Sequence, residues 1–299
     1  MKDKQPLVTI ITITRNRASL IPRCIESIQC QTYKFYEHII IDGASEDDTY
    51  DIVASYNDSK IKYVKLNKNL SMVESYDIAI EKANGKYITF LDDDDEYVST
   101  KIEKQVNLIE SLPEEYGMVY CWMDYYDDKQ HAYLYTHKTE LSGDVSLEVV
   151  EKPTVSGTPT FLIRKDAFIK AGRFQSHGID SDWEFGARFC QLYKVDFVHE
   201  SLVNVYINHG SKRMSENGYY KNSLERNVIF HNYFLNQFSS IFDNYPRKSI
   251  PHLYTISSSL MKLGKWKEAK SYYVRLVRLK PSVKSILLPI YCFFKRVQV

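Results

Sequence analysis

The 299-residue chain carries 39 basic and 38 acidic side chains, a net charge of +1, so no global field draws it toward nucleic acid. Its five cysteines, Cys24, Cys30, Cys121, Cys190 and Cys292, are odd in number and form no CxxC pair. That argues against a disulfide scaffold or a zinc site and for a reducing, cytoplasmic compartment.

The length suits one large α/β domain or one domain with an appendage. The opening MKDKQPLVTIITIT is basic, but its apolar run is short and lacks a small-residue cleavage site. It therefore reads as a strand and not as a signal peptide. No apolar run reaches transmembrane length.

Val8 to Thr14 is β-branched throughout, the mark of a strand buried on both faces. Thr14-Arg15-Asn16-Arg17 follows, where a dinucleotide-binding unit would show GxGxxG. Ser19 is a candidate cap for the next helix, with Pro22 in its first turn. Leu20, Ile21, Cys24, Ile25 and Ile28 lie on one face of that helix. His38 to Ile41 is a second strand, ending at Asp42-Gly43-Ala44-Ser45. Acidic Glu46-Asp47-Asp48 then opens a helix where the macrodipole favours negative charge. Ile61 to Leu66 is a third strand, and Ser71 to Ala83 is a helix ending at Asn84-Gly85.

Tyr87 to Leu91 is a short aromatic and β-branched strand, and Asp92, Asp93, Asp94 and Asp95 follow it without a break. At ~4 Å and an effective dielectric of ~20, each like-charge pair costs roughly 4 kcal/mol before screening. A solvated turn tolerates that; so does a site that includes a cation. Oxygen ligands at a strand's carboxyl end suit Mg²⁺ or Mn²⁺. The stretch departs from a calcium-binding loop at Tyr97, where that pattern needs glycine. The order β-α-β-α-β-α-β implies a mostly parallel, doubly wound, Rossmann-like sheet.

Ile102 to Leu112 reads as a helix and Met118 to Met123 as a strand. Asp124 to Leu141 is tyrosine-rich and aperiodic, and fits either a hairpin or a loop over the site. Thr160 to Ile163 is a strand, and a helix runs from Lys165 to Gly172. In GIDSDWEFGARFCQLY, Asp182 stands at the first turn of an amphipathic helix, where it could be only an N-cap. Val195 to Val198 and Leu202 to Ile207 read as two strands, with His209 in the loop beyond. From about Tyr219 helical patterns take over. Leu263-Gly264, Trp266, Glu268-Ala269, Tyr273 and Pro281 match one tetratricopeptide unit, which cannot build a solenoid alone. Ile286 to Phe294, followed by Lys295-Arg296, is apolar with a basic end and fits either a membrane surface or a docked helix.

These motifs, in this order from Leu7 to Ser215, closely resemble the family 2 glycosyltransferases. The resemblance implies a GT-A fold over residues 1–215 and an all-α extension over 216–299. It implies transfer, with inversion, of a sugar from a nucleotide-sugar donor, by family habit a UDP-sugar, to a saccharide or lipid-linked saccharide acceptor in surface polysaccharide or glycolipid assembly. By the same resemblance Asp94 is the metal ligand and Asp92 a ribose or metal contact. Asp93 occupies the variable position. Thr14, Arg15 and Asp42 line the nucleotide. Asp182 is the catalytic base, with Asp180 as its alternative. His209 reaches the metal, Mn²⁺ or Mg²⁺, or the diphosphate. Many members have an aromatic residue where this chain has Arg15, though a guanidinium also stacks on a base.

The chemistry asks for the same groups. A leaving diphosphate needs a cation and donors, and an incoming hydroxyl needs a positioned carboxylate. The competing readings are a nucleotidyltransferase, which would show a Gly-rich basic loop after the first strand, and a non-catalytic nucleotide-sugar binder or scaffold.

Overall fold

A computed structural model describes residues 5–155, 157–175, 181–210 and 223–289. They fall into two compact units. One is drawn from Met1–Val145, Val155–Gln175 and Arg188–Gly210, the other from Ser146–Thr154, Ser176–Ala187 and Ser211–Val299. The helical unit thus takes two pieces of chain that precede residue 216.

The first unit opens with β1 (Val8–Thr14), α1 (Ile21–Gln29), β2 (Tyr36–Asp42), α2 (Thr49–Ser55), β3 (Ile61–Lys65), α3 (Met72–Lys82) and β4 (Tyr87–Phe90). Strands β3, β2, β1 and β4 are parallel neighbours in that order. All seven residues of β2 and six of seven in β1 are buried; β1 is β-branched throughout, and β2 buries Glu37, His38 and Asp42 beside its three isoleucines. The edge strand β3 leaves Lys62 and Lys65 exposed, which blunts pairing with other chains. Ile21, Cys24, Ile25 and Ile28 bury one face of α1, each worth roughly 1.5–3 kcal/mol for the larger side chains. Ser19 does not cap this helix; its N-cap is Leu20, without a side-chain bond. Ser71 and Glu74 form a full capping box on α3.

The sheet continues through β5 (Glu96–Tyr97), α4 (Lys101–Ser111), β6 (Tyr116–Asp127) and β7 (Ala132–His137). The chain then forms α5 (Ser146–Val149), β8 (Leu162–Arg164), α6 (Lys165–Lys170), α7 (Ser181–Phe189) and β9 (Lys194–Ile207). Among the described residues the sheet has nine strands in the order β3-β2-β1-β4-β8-β6-β9-β5, with β7 paired to β6. The tyrosine-rich stretch after Met123 therefore contains a hairpin. The two strands expected at 195–198 and 202–207 are one, β9, whose register against β6 slips near Cys121 to Met123.

Thr14 pairs with Asp42, and Leu91 N donates to Ile11 O. The chain segments that leave β1, β2 and β4 thus open at one carboxyl edge, the place where parallel sheets bind ligands.

The second unit contains α5, most of α7, α8 (Ser223–Gln237), α9 (Ser239–Asn244), α10 (Ile250–Lys262), α11 (Trp266–Leu279) and α12 (Val283–Ile286). Helices α10 and α11 are joined by a short turn. Gly264 sits at φ 79° between them, and Lys265 N reaches back to Leu260 O, a left-handed helix stop that favours glycine. The core they share is Leu253, Ile256, Leu260, Met261, Ala269, Leu276 and Leu288. Of the apolar C-terminal segment, residues 290–299 lie outside the described residues.

Candidate functional site

The carboxyl edge of the first unit is held together by a set of side-chain and backbone hydrogen bonds. Asp42 is fully buried. Its Oδ1 accepts from Ser45 N at 2.9 Å and Ser45 Oγ at 2.5 Å, and the Tyr63 hydroxyl donates to Oδ2. Burial and this bond push the Tyr63 hydroxyl well up. Asn16 N donates to Ser45 Oγ at 2.8 Å, and Glu46 N donates to Asn16 Oδ1 at 2.8 Å. Asn16 and Ala44 hold positive φ, 53° and 61°, so both loops are locally strained and over-determined by these bonds. Gly43 leaves room for its neighbours: a Cβ there would meet Asn69 Oδ1 at 2.7 Å and Arg15 carbons at 3.6 Å. Arg15 itself is exposed.

The four aspartates separate into different environments. Asp92 is exposed, and Asp95 is buried. Asp95 Oδ1 accepts from Tyr206 N at 2.9 Å, so that carboxylate fastens the turn to β9. Asp93 is buried beneath the turn; burial and then neighbouring Asp94 push its carboxyl up to about 7, against the pull of Thr14 and Arg17. Asp94 is the hub. Its Oδ2 lies 3.5 Å from Arg17 Nη1 and 3.0 Å from His209 Nε2, while Arg23 Nη1 donates to its carbonyl at 3.1 Å. Arg23 also grips Asp128 at 2.7 Å and lies over the Tyr206 ring.

His209 is the telling residue. Its side chain is 1% exposed, yet neither ring nitrogen has a hydrogen bond; Nε2 approaches Asp94 without hydrogen-bond geometry. Orphaned buried polar atoms are costly. A carboxylate oxygen facing an imidazole nitrogen is a donor pair that fits Mn²⁺ or Mg²⁺, which usually takes one or two protein ligands plus water and phosphate. Among the described residues no group of three His, Cys, Asp or Glu side chains comes together as a metal cage.

In the second unit, Asp182 is half-buried in the first turn of α7, and its Oδ1 accepts from Trp183 N at 2.9 Å. Asp180 lies outside the described residues. Trp183 is held in an aromatic cage. Its indole donates to Val149 O at 2.6 Å, its ring stacks on His252 at 5.6 Å, and Phe234 lies 4.7 Å away. His252 Nε2 bonds Val150 O at 2.7 Å, and its Nδ1 is 2.8 Å from His231 Nδ1. That network assigns the tautomers: His252 is protonated at Nε2, and His231 donates from Nδ1. Burial pushes both imidazoles down, to about 3 for His231 and about 4 for His252.

The structure thus brings Asp94 and His209 into contact and places Thr14, Asp42 and Asp92 on the same sheet edge. Reading the sequence did not single out Arg23 or the histidine pair, which depend on contacts 21 to 105 residues apart; it set Arg17 beside Arg15 as either a solvated charge or a diphosphate contact at a helix start.

Residues 9–175, more than half of the chain, match the family model "Glycosyl transferase family 2". The chain belongs to glycosyltransferase family 2. It is 31% identical over 203 residues to an uncharacterised glycosyltransferase of Rickettsia typhi, covering 66% of this chain and 63% of that one. It is 37% identical over 123 residues to the UDP-Glc:α-D-GlcNAc-diphosphoundecaprenol β-1,3-glucosyltransferase of Escherichia coli, covering 41% of this chain and 47% of that one. The chain therefore spans less than two thirds of the length of these relatives. Among solved structures it resembles S. aureus TarS, with TM-score 0.64, 14% identity, and coverage of 97% of this chain and 53% of that chain. A shorter form of TarS, residues 1–349, is known in complex with UDP-GlcNAc. That likeness confirms the GT-A fold expected from the sequence.

Proposed function

We propose that this family 2 glycosyltransferase is metal-dependent and inverting, and moves a sugar from a UDP-linked donor to a hydroxyl of a lipid-linked saccharide. The observation that carries the metal-bound donor site is the buried imidazole of His209, free of hydrogen bonds, beside Asp94 at the carboxyl edge. The UDP donor and lipid-linked acceptor are supported by the Escherichia coli relative, which takes UDP-Glc and a diphosphoundecaprenol-linked sugar.

In this reading Asp94 and His209 hold the divalent cation, which supplies charge stabilisation for the departing diphosphate. Thr14, Arg15, Asp42 and Asp92 position the nucleotide. Arg17, beside Asp94, adds fixed positive charge near the diphosphate. Asp182 accepts the acceptor's hydroxyl proton as oxygen attacks the anomeric carbon and the bond to diphosphate breaks. General-base help of this kind is worth about 10²–10⁴-fold.

The test is a thermal-shift panel of UDP-, GDP- and dTDP-sugars with and without Mn²⁺, followed by turnover with the selected donor. A donor at 100 times its Kd adds about 2.7 kcal/mol. Asp94→Ala removes the metal-dependent part of the shift. Asp182→Asn keeps the shift and abolishes transfer. Wild-type turnover in Asp182→Asn removes that residue from the mechanism, and a shift indifferent to Mn²⁺ removes the metal.

A further inference from the structure

The charge of this protein is unevenly spread. Between Lys262 and Pro289 the chain carries eight basic side chains and one acidic one, Glu268, a local charge of +7 in a chain whose total is +1. The remainder is therefore at −6. On α11, Ala269, Tyr272, Tyr273, Leu276 and Leu279 pack into the helical core. At 100° per residue the opposite face presents Lys267, Lys270, Arg275 and Arg278, all four exposed. Among the described residues none of these four has a carboxylate partner; Lys265, nearby, reaches Glu225 at 3.8 Å.

An apolar element adjoins this basic face. Val283, Ile286 and Leu287 are 74%, 52% and 47% exposed. They stand at i, i+3 and i+4, on one side of the α12 turn. Lys280 and Lys284, both exposed, flank them. A water-facing turn gains nothing from three uncovered aliphatic side chains beside a basic stripe. An anionic bilayer satisfies both: headgroups take the charges, and the acyl boundary takes the side chains. A nucleic acid would meet the charges but leave Val283 and Ile286 without a partner.

We propose that the basic face of α11 and the apolar edge of α12 form a docking surface for an anionic phospholipid membrane. The inference stands on the helical unit alone and does not depend on the catalytic assignment.

The experiment is cosedimentation of the full chain with vesicles of phosphatidylcholine, alone or with about one quarter phosphatidylglycerol. The protein should bind the anionic vesicles and not the neutral ones, and it should detach between about 0.05 and about 0.5 M salt. Lys267→Glu/Lys270→Glu/Arg278→Glu should lower the partition by at least about 100-fold, since each charge near such a surface is worth roughly fivefold. Val283→Ser/Ile286→Ser should lower it at constant charge, while circular dichroism shows both variants folded. Equal binding to neutral vesicles, no binding, or indifference to the charge reversal overturns the proposal. So does binding to duplex DNA in place of vesicles, with no effect of the apolar pair.

Discussion

His209 Nε2 lies 3.0 Å from Asp94 Oδ2 and makes no hydrogen bond with it. An imidazole buried this far without a partner costs roughly 1–3 kcal/mol, so an occupant that binds both groups relieves strain already present. His209→Ala should therefore weaken Mn²⁺ binding by about 10–100-fold while leaving the metal-free protein as stable as wild type or more so. Asp94→Ala should weaken it further and also remove one carboxylate partner of Arg17, 3.5 Å away. Calorimetric Mn²⁺ titration together with thermal melts in chelator checks both halves. A destabilised metal-free His209→Ala protein would contradict the account.

Asp42 offers a different kind of test, because its carboxylate is occupied by Ser45 and Tyr63. Tyr63→Phe deletes one donor to a buried oxygen and should cost about 1–3 kcal/mol, measured by urea denaturation. Gly43→Ala should behave oppositely. Its Cβ meets the end of the Asn69 side chain, which can rotate away, so stability should change by less than about 1 kcal/mol. Displacing Asn69 and Arg15 should instead raise the donor KM, read from initial rates.

Much of this architecture could be read from residue types. Val8–Thr14 is β-branched at every position, and only a buried strand suits that. Asp42 and Asp92 follow directly on apolar strands, so the parallel order already assigned them to one edge. The arginines were harder. Arg15 and Arg17 differ by two positions in an irregular loop, and the left-handed Asn16 between them, tied to Ser45, leaves Arg17 buried and Arg15 exposed. No local period encodes that. The long strand β9 looked like two because His199, Glu200 and Ser201 interrupt its apolar pattern where its register slips. The surroundings of Trp183 were illegible for a related reason: its cage comes from residues 149, 230, 231, 234 and 252.

That cage predicts how α7 responds to change. Trp183→Ala removes a 5% exposed indole packed on four rings and should cost roughly 3–5 kcal/mol. The loss should appear as faster amide exchange in residues 182–187 and in α8 and α10. His252→Gln can still donate to Val150 O and should lose less than His252→Ala. If the two substitutions cost the same, the bond to Val150 contributes nothing measurable.

Lys101 gives the clearest pH signature. It is fully buried between Thr89, Gln105 and the Tyr97 ring, with Nζ 3.1 and 2.8 Å from the two oxygens. Burial pushes its ammonium down from 10.5 to about 8. The folded state therefore binds fewer protons than the unfolded chain between about pH 8 and 10.5, and stability contributed by this residue rises with pH across that window. The full swing is of order 3 kcal/mol. Buried tyrosines such as Tyr97, whose hydroxyl is raised by burial, act in the reverse direction above pH 10, so wild type alone would mask the effect. Lys101→Met removes the ammonium and keeps most of the volume, and buried charges replaced in this way are often tolerated. The unfolding free energy of Lys101→Met minus that of wild type should fall steadily from pH 8 to pH 10. A difference independent of pH would mean that the Lys101 ammonium keeps its ordinary value in the folded protein, as a fully solvated lysine would.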